Sequence, residues 1–271
     1  MKGSYIGAGV LMVVVLAGCT LKPIYNNLYW LVPWYIEDYV SLREGQDDHL
    51  REDLKSFVKA HREQQVPRYI DFLTSLDPYV DGIDEAQVWQ LYGQVESFWE
   101  QLKQMLAPDI ENFLLSLDAQ QQQQLFENLA QANSERREQL RDTEGGAAQR
   151  YRDRAESLVD AWIGSLSPPQ EALLEEYLRE LGEGDDGWLD NRERWQRALY
   201  EALQSPQPSA RIRELLLNNR ALWSEDYQRE VDRRRALTAE LISDLSYTLT
   251  PSQKSYLRER LEELVGNFAA L

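Results

Sequence analysis

The sequence predicts an all-α protein, an irregular multi-helix bundle built from helix-turn-helix units that follows a cleaved signal peptide. Three observations lead to this prediction. Apolar residues recur at helical spacing through most of the 271 residues. No segment alternates polar and apolar residues for long enough to indicate a strand. Four of the predicted helices begin with the same capping pattern.

The N-terminus has the parts of a signal peptide in the expected order. Met1 and Lys2 supply a positive end, an apolar run covers residues 5–16, and small residues follow. The run has about a dozen residues, fewer than the roughly 20 that a helix needs to span a bilayer. A permanent transmembrane anchor is therefore the weaker interpretation, and residues 1–18 are expected to be removed.

The residues at the predicted cut, Leu16-Ala17-Gly18-Cys19, resemble a bacterial lipobox. Cys19 is the single cysteine of the chain. The resemblance implies that it carries the lipid and that its acyl chains bind the mature protein to a membrane. The alternative is an ordinary cleaved signal peptide with an incidental cysteine.

Thr20 stands where an aspartate would resemble an inner-membrane retention signal of enteric bacteria. We therefore expect a lipoprotein of the outer membrane that faces the periplasm, with the inner membrane as the alternative location.

The composition indicates a water-exposed globular protein with an acidic surface. Charged residues make up 28% and hydrophobic residues 43% of the chain, and the formal net charge is −17. This charge repels nucleic acid and anionic lipid, so neither is expected as a partner of the domain. A single cysteine also excludes an internal disulfide framework.

Residues 19–46 are predicted to form the lipid anchor and an aromatic first helix. Six aromatic residues lie between Tyr25 and Tyr39. Such a segment could start the protein core, or it could lie at the bilayer interface, where Trp and Tyr rings are half hydrated. Glu37 and Asp38 favour the core, because interfacial helices usually carry Lys or Arg on their polar face.

A family resemblance rests on this same segment. The lipobox, Tyr-Asn-x-Leu-x-Trp-Leu, Trp-Tyr-Ile-x-Asp-Tyr-Val and then Leu42 and Gln46 follow one another in order. This order resembles a family of uncharacterised proteobacterial lipoproteins with a domain of unknown function. The resemblance covers the whole chain, but it is specific over residues 16–46 and diffuse beyond them. It implies that the protein is a lipoprotein, and it implies no activity.

Residues 47–271 form the predicted helical domain, with a possible boundary at residues 182–187. Helical spacing begins at Leu50, and Pro67 should kink or split this helix. The clearest apolar stripe covers residues 88–106, and Pro108 is expected to end that helix or to start the next one. The remaining pattern predicts breaks at Gly145-Gly146, residues 182–187 and residues 205–208, and a long helical pattern over residues 212–245.

Four helices are predicted to start with a capping box, in which an Asp, Ser or Thr stands three residues before a glutamine. The glutamines are Gln87, Gln121, Gln170 and Gln253, and each is expected near the third helical position. Four and eight residues after each glutamine stand apolar residues that should face the core. These are Leu91, Val95, Leu125, Leu129, Leu174, Leu178, Leu257 and Leu261.

The last box suggests a second resemblance. Leu249-Thr250-Pro251-Ser252-Gln253 resembles the Leu-Thr-x-x-Gln element of the Spy/CpxP-like periplasmic stress chaperones, and Leu166-Ser167-Pro168-Pro169-Gln170 is a looser copy. Those chaperones are small all-helical proteins that bind unfolded clients on a concave face. Capping alone also explains the pattern.

The residue types that carry catalysis are sparse. His49 and His61 are the two histidines, and their separation does not match the i, i+4 spacing of a zinc-binding helix. His61 is expected at the rim of an apolar face. Neighbouring carboxylates point apart on a helix, which applies to Glu175-Glu176 and Glu262-Glu263. Asp185-Asp186 stands in the predicted break and lacks the alternating ligands and the closing glutamate of a calcium loop. Arg233-Arg234-Arg235 is expected to pair within its helix with Glu230 or Asp232.

The sequence therefore predicts no catalytic residue, no cofactor and no metal site, and Cys19 is the one predicted modification site. We expect a non-catalytic, lipid-anchored interaction or scaffold protein of the envelope whose partner is another envelope protein. A holdase-like envelope stress chaperone is the alternative, and an enzyme is the weakest of the three. The pattern leaves the oligomeric state open.

Overall fold

The structure is a computed structural model that describes residues 21–142, 146–182 and 187–271. The predicted signal peptide, Cys19, Gly145, Asp185 and Asp186 lie outside these residues. Within them the chain is all-α, with no strand, as predicted. The helices are α1 (Leu21–Asn26), α2 (Leu28–Ile36), α3 (Glu44–Gln64), α4 (Val66–Thr74), α5 (Glu85–Ser116), α6 (Ala119–Asp142), α7 (Gly146–Ile163), α8 (Pro168–Leu181), α9 (Gly187–Leu203), α10 (Pro208–Leu217), α11 (Glu225–Thr248) and α12 (Pro251–Ala269).

Helix α5 is the axis of the bundle, and it packs against α3, α10 and α11. Its C-terminal end joins the segment after α2 and helices α9 and α10 in a core cluster of buried apolar residues. These are Val40, Leu114, Leu117, Leu199, Ala202 and Ile212. Helix α12 packs against α4 and α7, so late and early segments of the chain share one bundle.

The predicted split at Pro67 is confirmed, because α3 ends at Gln64 and Pro67 stands in the first turn of α4. The predicted boundary at Pro108 is wrong. Pro108 lies inside α5, whose opposite face buries Ala107 and Leu114. Both Pro108 and Gln104 are exposed, so the carbonyl of residue 104 that loses its intrahelical donor can bind water, and core packing keeps the helix continuous.

The long helical pattern over residues 212–245 is also divided in the structure. Helix α10 is followed by a 3₁₀ turn (Asn219–Leu222) before α11 begins. The hydroxyl of Ser224 caps α11 by accepting a hydrogen bond from the backbone N–H of Tyr227, at 3.2 Å. The sequence did not reveal this break, because apolar residues continue across it at helical spacing.

A second 3₁₀ turn (Asp77–Asp81) precedes the capping box of α5 and ends at Gly82. Gly82 has φ +145°, and a Cβ there would lie 2.8 Å from the ring of Tyr247. Glycine is therefore favoured at this position by its backbone angle, whereas the exposed ring of Tyr247 is free to turn away from a Cβ.

The four predicted glutamines all stand at the third helical position, so the capping prediction is confirmed. The apolar residues four and eight positions later are all buried or half-buried, as expected. The boxes do more than cap, however, because two pairs of glutamines contact each other across the bundle.

In the first pair, Gln121 at the start of α6 meets Gln46 at the start of α3. The side-chain amide of Gln121 donates to the carbonyl of Ser41 (2.9 Å) and to Gln46 Oε1 (2.6 Å). Gln46 donates in return to the carbonyl of Ser116 (2.8 Å) and to Gln121 Oε1 (3.1 Å). The pair joins two helix starts that are 75 residues apart.

The second pair repeats this geometry at the starts of α8 and α12. Gln170 donates to the carbonyl of Thr248 (3.1 Å) and to Gln253 Oε1 (3.0 Å). Gln253 donates to the carbonyl of Ser165 (3.0 Å) and to Gln170 Oε1 (2.9 Å). In both pairs, each backbone acceptor stands five residues before the other glutamine.

Each paired glutamine also accepts from the backbone N–H of its own cap residue, at 2.9 to 3.2 Å. Both N–H groups and both acceptor sites of each amide are therefore used. Gln170 is completely buried, and Gln121 and Gln253 are nearly so. Gln46 is half-buried. A buried amide satisfied in this way is stable only while every partner stays in place.

We predict that Gln170→Ala lowers the free energy of unfolding by about 2–4 kcal/mol, because it leaves the amide of Gln253 and the carbonyl of Thr248 buried without their partner. Urea unfolding followed by circular dichroism measures this loss.

The matched control is Gln87→Ala. Gln87 makes the same reciprocal bonds with Asp84 but has no glutamine partner, so the expected loss is about 1 kcal/mol or less. Equal losses in the two variants would show that the cross-bundle pair adds nothing to the stability.

Candidate functional site

The segment that follows the predicted lipid attachment is a helical arm formed by α1 and α2, and it lies along α3. One side of this arm is in the core, where Tyr25 and Pro33 are buried, and Val40, just after the arm, is buried as well. The other side exposes Ile24 (46%), Trp30 (52%) and Trp34 (48%). The two interpretations of residues 25–40 thus apply to opposite sides of one helical segment.

We call the exposed set Ile24, Trp30 and Trp34 the tryptophan face. The rings of Trp30 and Trp34 are nearly parallel, with an interplanar angle of 3° and centroids 6.5 Å apart. They are four residues apart and so lie on the same side of α2. An indole combines a large apolar ring with one N–H donor, a combination suited to a half-hydrated environment.

A chain of hydrogen bonds, which we call the clamp, fixes the arm to the bundle. The hydroxyl of Tyr25 donates to the carbonyl of Val58 (3.1 Å) and lies 2.9 Å from Nδ1 of His61. Nε2 of His61 lies 3.2 Å from the hydroxyl of Tyr69. Because Tyr25 has one proton and gives it to Val58, Nδ1 of His61 must donate and Nε2 must accept from Tyr69.

His61 is therefore not at the rim of an apolar face, as the sequence suggested, but inside the core. Its imidazole is 8% exposed and lies among the rings of Phe57, Tyr25 and Tyr69. Burial lowers the pKa of His61 to about 4 and raises the pKa of Tyr25 to about 12. Both groups are neutral at pH 7, and their hydrogen bonds are satisfied within the protein.

The basic residues of α3 that contact the arm form a row. Nη1 of Arg51 donates to the carbonyl of Tyr29, and the ammonium of Lys55 lies 5.1 Å from the ring centroid of Tyr29. Arg62 donates to Asn26 and lies over the ring of Tyr25. The sequence had indicated that the aromatic helix lacked basic residues, but the fold supplies them from α3.

Several other charged residues weighed for chemistry form ion pairs on the surface. Glu175 and Glu176 bind different arginines, Arg152 and Arg179. Arg233 and Arg234 pair with Glu230 as predicted. The third arginine of that run contacts a different helix, because Arg235 binds Glu96 of α5. Glu263 pairs with Arg260.

Within the described ranges, no group of three or more His, Cys, Asp or Glu side chains could hold a metal ion. An open cleft of about 380 Å³ lies beside the clamp, between Arg68, Asp71 and Phe98. A second cleft, of about 520 Å³, lies between residues 41–43 and the glutamine run of α6. In residues 21–142, 146–182 and 187–271, no helix is both long and apolar enough to cross a membrane.

Residues 38–228 match a family of unknown function, DUF6279. The chain belongs to this family. The match begins after α2, so the tryptophan face lies outside it, and it covers the whole first glutamine pair but only Gln170 of the second. A search of curated proteins found no match. A search of solved structures found no match either.

Sequence reasoning missed the clamp and the role of Gln46 as a capping glutamine that pairs with Gln121. Gln46 follows Leu42 by four residues, the same spacing as Leu117 to Gln121 and Leu166 to Gln170, so this spacing could have revealed it. Arg43 stands at the cap position and has no side-chain acceptor, which hid the box. Nothing in the sequence indicates that Tyr25 and His61 meet.

We predict that acid destabilises the protein through His61. The pKa of His61 is about 4 in the folded protein and 6.5 in its ordinary state, so the unfolded chain binds more protons between these values. The stability that neutral His61 provides is complete above pH 6.5 and is lost as the pH falls toward 4. Between pH 7 and pH 5 the loss is about 2 kcal/mol, measured by urea unfolding.

His61→Gln should remove this part of the pH dependence, whereas His49→Gln, at an exposed position of α3, should keep it. Both variants retain all the carboxylates, whose contributions cancel in the comparison. If wild type and His61→Gln lose equal free energy between pH 7 and pH 5, the buried histidine is not the acid-sensitive group.

Proposed function

We propose that this protein is a non-catalytic lipoprotein of the bacterial envelope, anchored through acylated Cys19 on the periplasmic face of the outer membrane, where it acts as an interaction or scaffold module for another envelope protein. The lipobox resemblance at residues 16–19 supplies the anchor, and the resemblance of residues 16–46 to proteobacterial lipoproteins supplies the envelope location.

The observation that carries the proposal is the position of the clamp relative to Cys19. Leu21, two residues after Cys19, is already helical, and Tyr25 is bound to Val58 and His61 in the core. A lipid on Cys19 is therefore separated from a folded helix by too few residues to form a long flexible linker. Such an attachment holds the whole bundle close to the membrane, as a scaffold requires.

The engagement of His61 supports binding over catalysis. His61 has both ring nitrogens hydrogen-bonded to tyrosines in the core. A general base needs a nitrogen within reach of a substrate, and neither nitrogen of His61 is available for one.

A holdase-like chaperone is the second candidate, and the glutamine pair of α8 and α12 is the observation that favours it. The box that resembles the Leu-Thr-x-x-Gln element and its looser copy are in direct contact through Gln253 and Gln170. Two boxes that resemble one chaperone element thus form a single structural unit.

We predict that Cys19→Ala releases the protein from membranes into the soluble fraction and removes the acyl mass from the purified protein, because acyl chains supply its membrane affinity. Fractionation and intact-mass spectrometry measure both effects. The anchor would be overturned by a Cys19→Ala protein that still sediments with membranes and differs in mass from the wild type only by the substitution itself.

Location is tested by Thr20→Asp, with Thr20→Ser as the matched control. The aspartate should move the acylated protein from outer to inner membranes on a density gradient, and the serine should leave it in place. Wild-type protein found with inner membranes would contradict the outer-membrane location while leaving the anchor intact.

Scaffold and chaperone predict different partners. A photo-crosslinking residue at Tyr247 or Tyr200, which are exposed at 66% and 47%, should capture one dominant envelope protein in cells if the protein is a scaffold. Capture of abundant bystanders alone counts against it. For the chaperone, the chain from Thr20 onward should slow aggregation of an unfolded client at near-stoichiometric ratio, and no effect would exclude a holdase.

A further inference from the structure

The tryptophan face combines three features that restrict what can cover it. Its three side chains are each about half exposed, and two of them are parallel indoles. Tryptophan is enriched where one side of the ring meets hydrocarbon and the other meets water, as it does in the headgroup layer of a bilayer. The composition of the face therefore fits a lipid interface.

Chain length places the face beside the predicted lipid. Five residues separate Cys19 from Ile24, and an extended chain covers at most about 18 Å over that distance. The helical rise of about 1.5 Å per residue places Trp34 some 15 Å further along the arm than Ile24. An arm that lies along the membrane surface brings all three side chains to headgroup depth, whereas an arm that stands upright leaves Trp34 in water.

The arm has basic residues near its N-terminal end, beside the predicted lipid, and acidic residues beyond its C-terminal end. Lys22 is exposed on α1, and Lys55 and Arg62 of α3 flank the arm through Tyr29 and Tyr25. Glu37 and Asp38 lie at the opposite end, beyond Ile36. Basic groups beside the anchor complement lipid phosphate, and the acidic end lies where the arm moves away from the surface.

From these features we propose that the tryptophan face contacts the headgroup layer of the bilayer that holds Cys19, with the arm lying along the surface and its N-terminal end deepest. This inference rests on the proposed lipid anchor. The acyl chains supply the affinity, and the face fixes which side of the bundle is turned to the membrane. Lys22 and Lys55, which are exposed, are the basic groups placed to contact phosphate in spite of the net acidity of the whole protein.

The test uses the full-length protein produced in bacteria, processed there and reconstituted into vesicles of phosphatidylethanolamine and phosphatidylglycerol. Cys19 is the only native cysteine, so an introduced cysteine is the one thiol open to a fluorescent label once Cys19 is acylated. Asn27→Cys places the label on the side of the tryptophan face, three and seven residues before Trp30 and Trp34.

The matched control is Ser252→Cys, an exposed position in the first turn of α12. It lies about 24 Å along that helix from Phe268, which packs against Tyr69 of the clamp. A second comparison adds Trp30→Ala and Trp34→Ala to Asn27→Cys. Circular dichroism confirms that these variants are folded.

We expect the emission of the Asn27→Cys label to shift to the blue in vesicles and to be quenched by brominated lipid chains, whereas the Ser252→Cys label shows neither effect. Loss of both effects in the variant without the two tryptophans would support the assignment of the contact to them. Overturning outcomes are a label at Asn27→Cys that is insensitive to the vesicles, or one that stays equally quenched without the tryptophans.

Failure of the anchor has a different signature. Wild-type protein that takes the label at Cys19 and does not float with vesicles overturns the proposed lipoprotein. Wild-type protein that floats and takes no label, with no quenching at Asn27→Cys, overturns this inference alone. A photo-crosslinker at Trp30 that captures one envelope protein instead of lipid would likewise overturn it.

Discussion

Buried glutamine amides are the interaction on which the arrangement of this bundle depends. A primary amide has two donors and two acceptor sites, and a buried one is costly unless all four are used. In each pair the two amides satisfy each other, their own caps and two backbone carbonyls. The acceptor carbonyls stand at the end of the preceding helix (Ser116, Thr248) or in the turn before the partner helix (Ser41, Ser165). The same glutamine therefore caps its own helix and joins it to a second one.

The same glutamine unit occurs twice in the bundle. The paired helix starts are 75 residues apart in the first unit and 83 in the second, so the intervening helices differ while the junctions stay alike. Gln87 shows that the box alone does not make a pair, because it caps α5 without a glutamine opposite. A pair forms only where two capped starts are brought together by the helices between them.

The fold class, most helix starts and the core register could be predicted from the sequence because they depend on local spacing. The capping hydrogen bonds between Asp118 and Gln121, and between Thr250 and Gln253, form within a segment of four residues. The continuous α5 could not be predicted, because packing around Ala107 and Leu114 outweighs the local effect of Pro108. The clamp could not be predicted either: Tyr25, His61 and Tyr69 are brought together by tertiary packing, which local patterns do not encode. The sequence therefore identified the candidate site as an aromatic segment, but it did not indicate which of its residues are buried and which are exposed.

The clamp also links the earliest and latest parts of the chain. Phe268 of α12 packs edge-on against Tyr69, with ring centroids 5.8 Å apart, and it is synthesised about 200 residues after Tyr69. The cluster around Tyr69 is therefore complete only when almost the whole chain is present. A truncation that removes α12 leaves one edge of the Tyr69 ring without its aromatic neighbour and so weakens the support of the clamp that holds the arm.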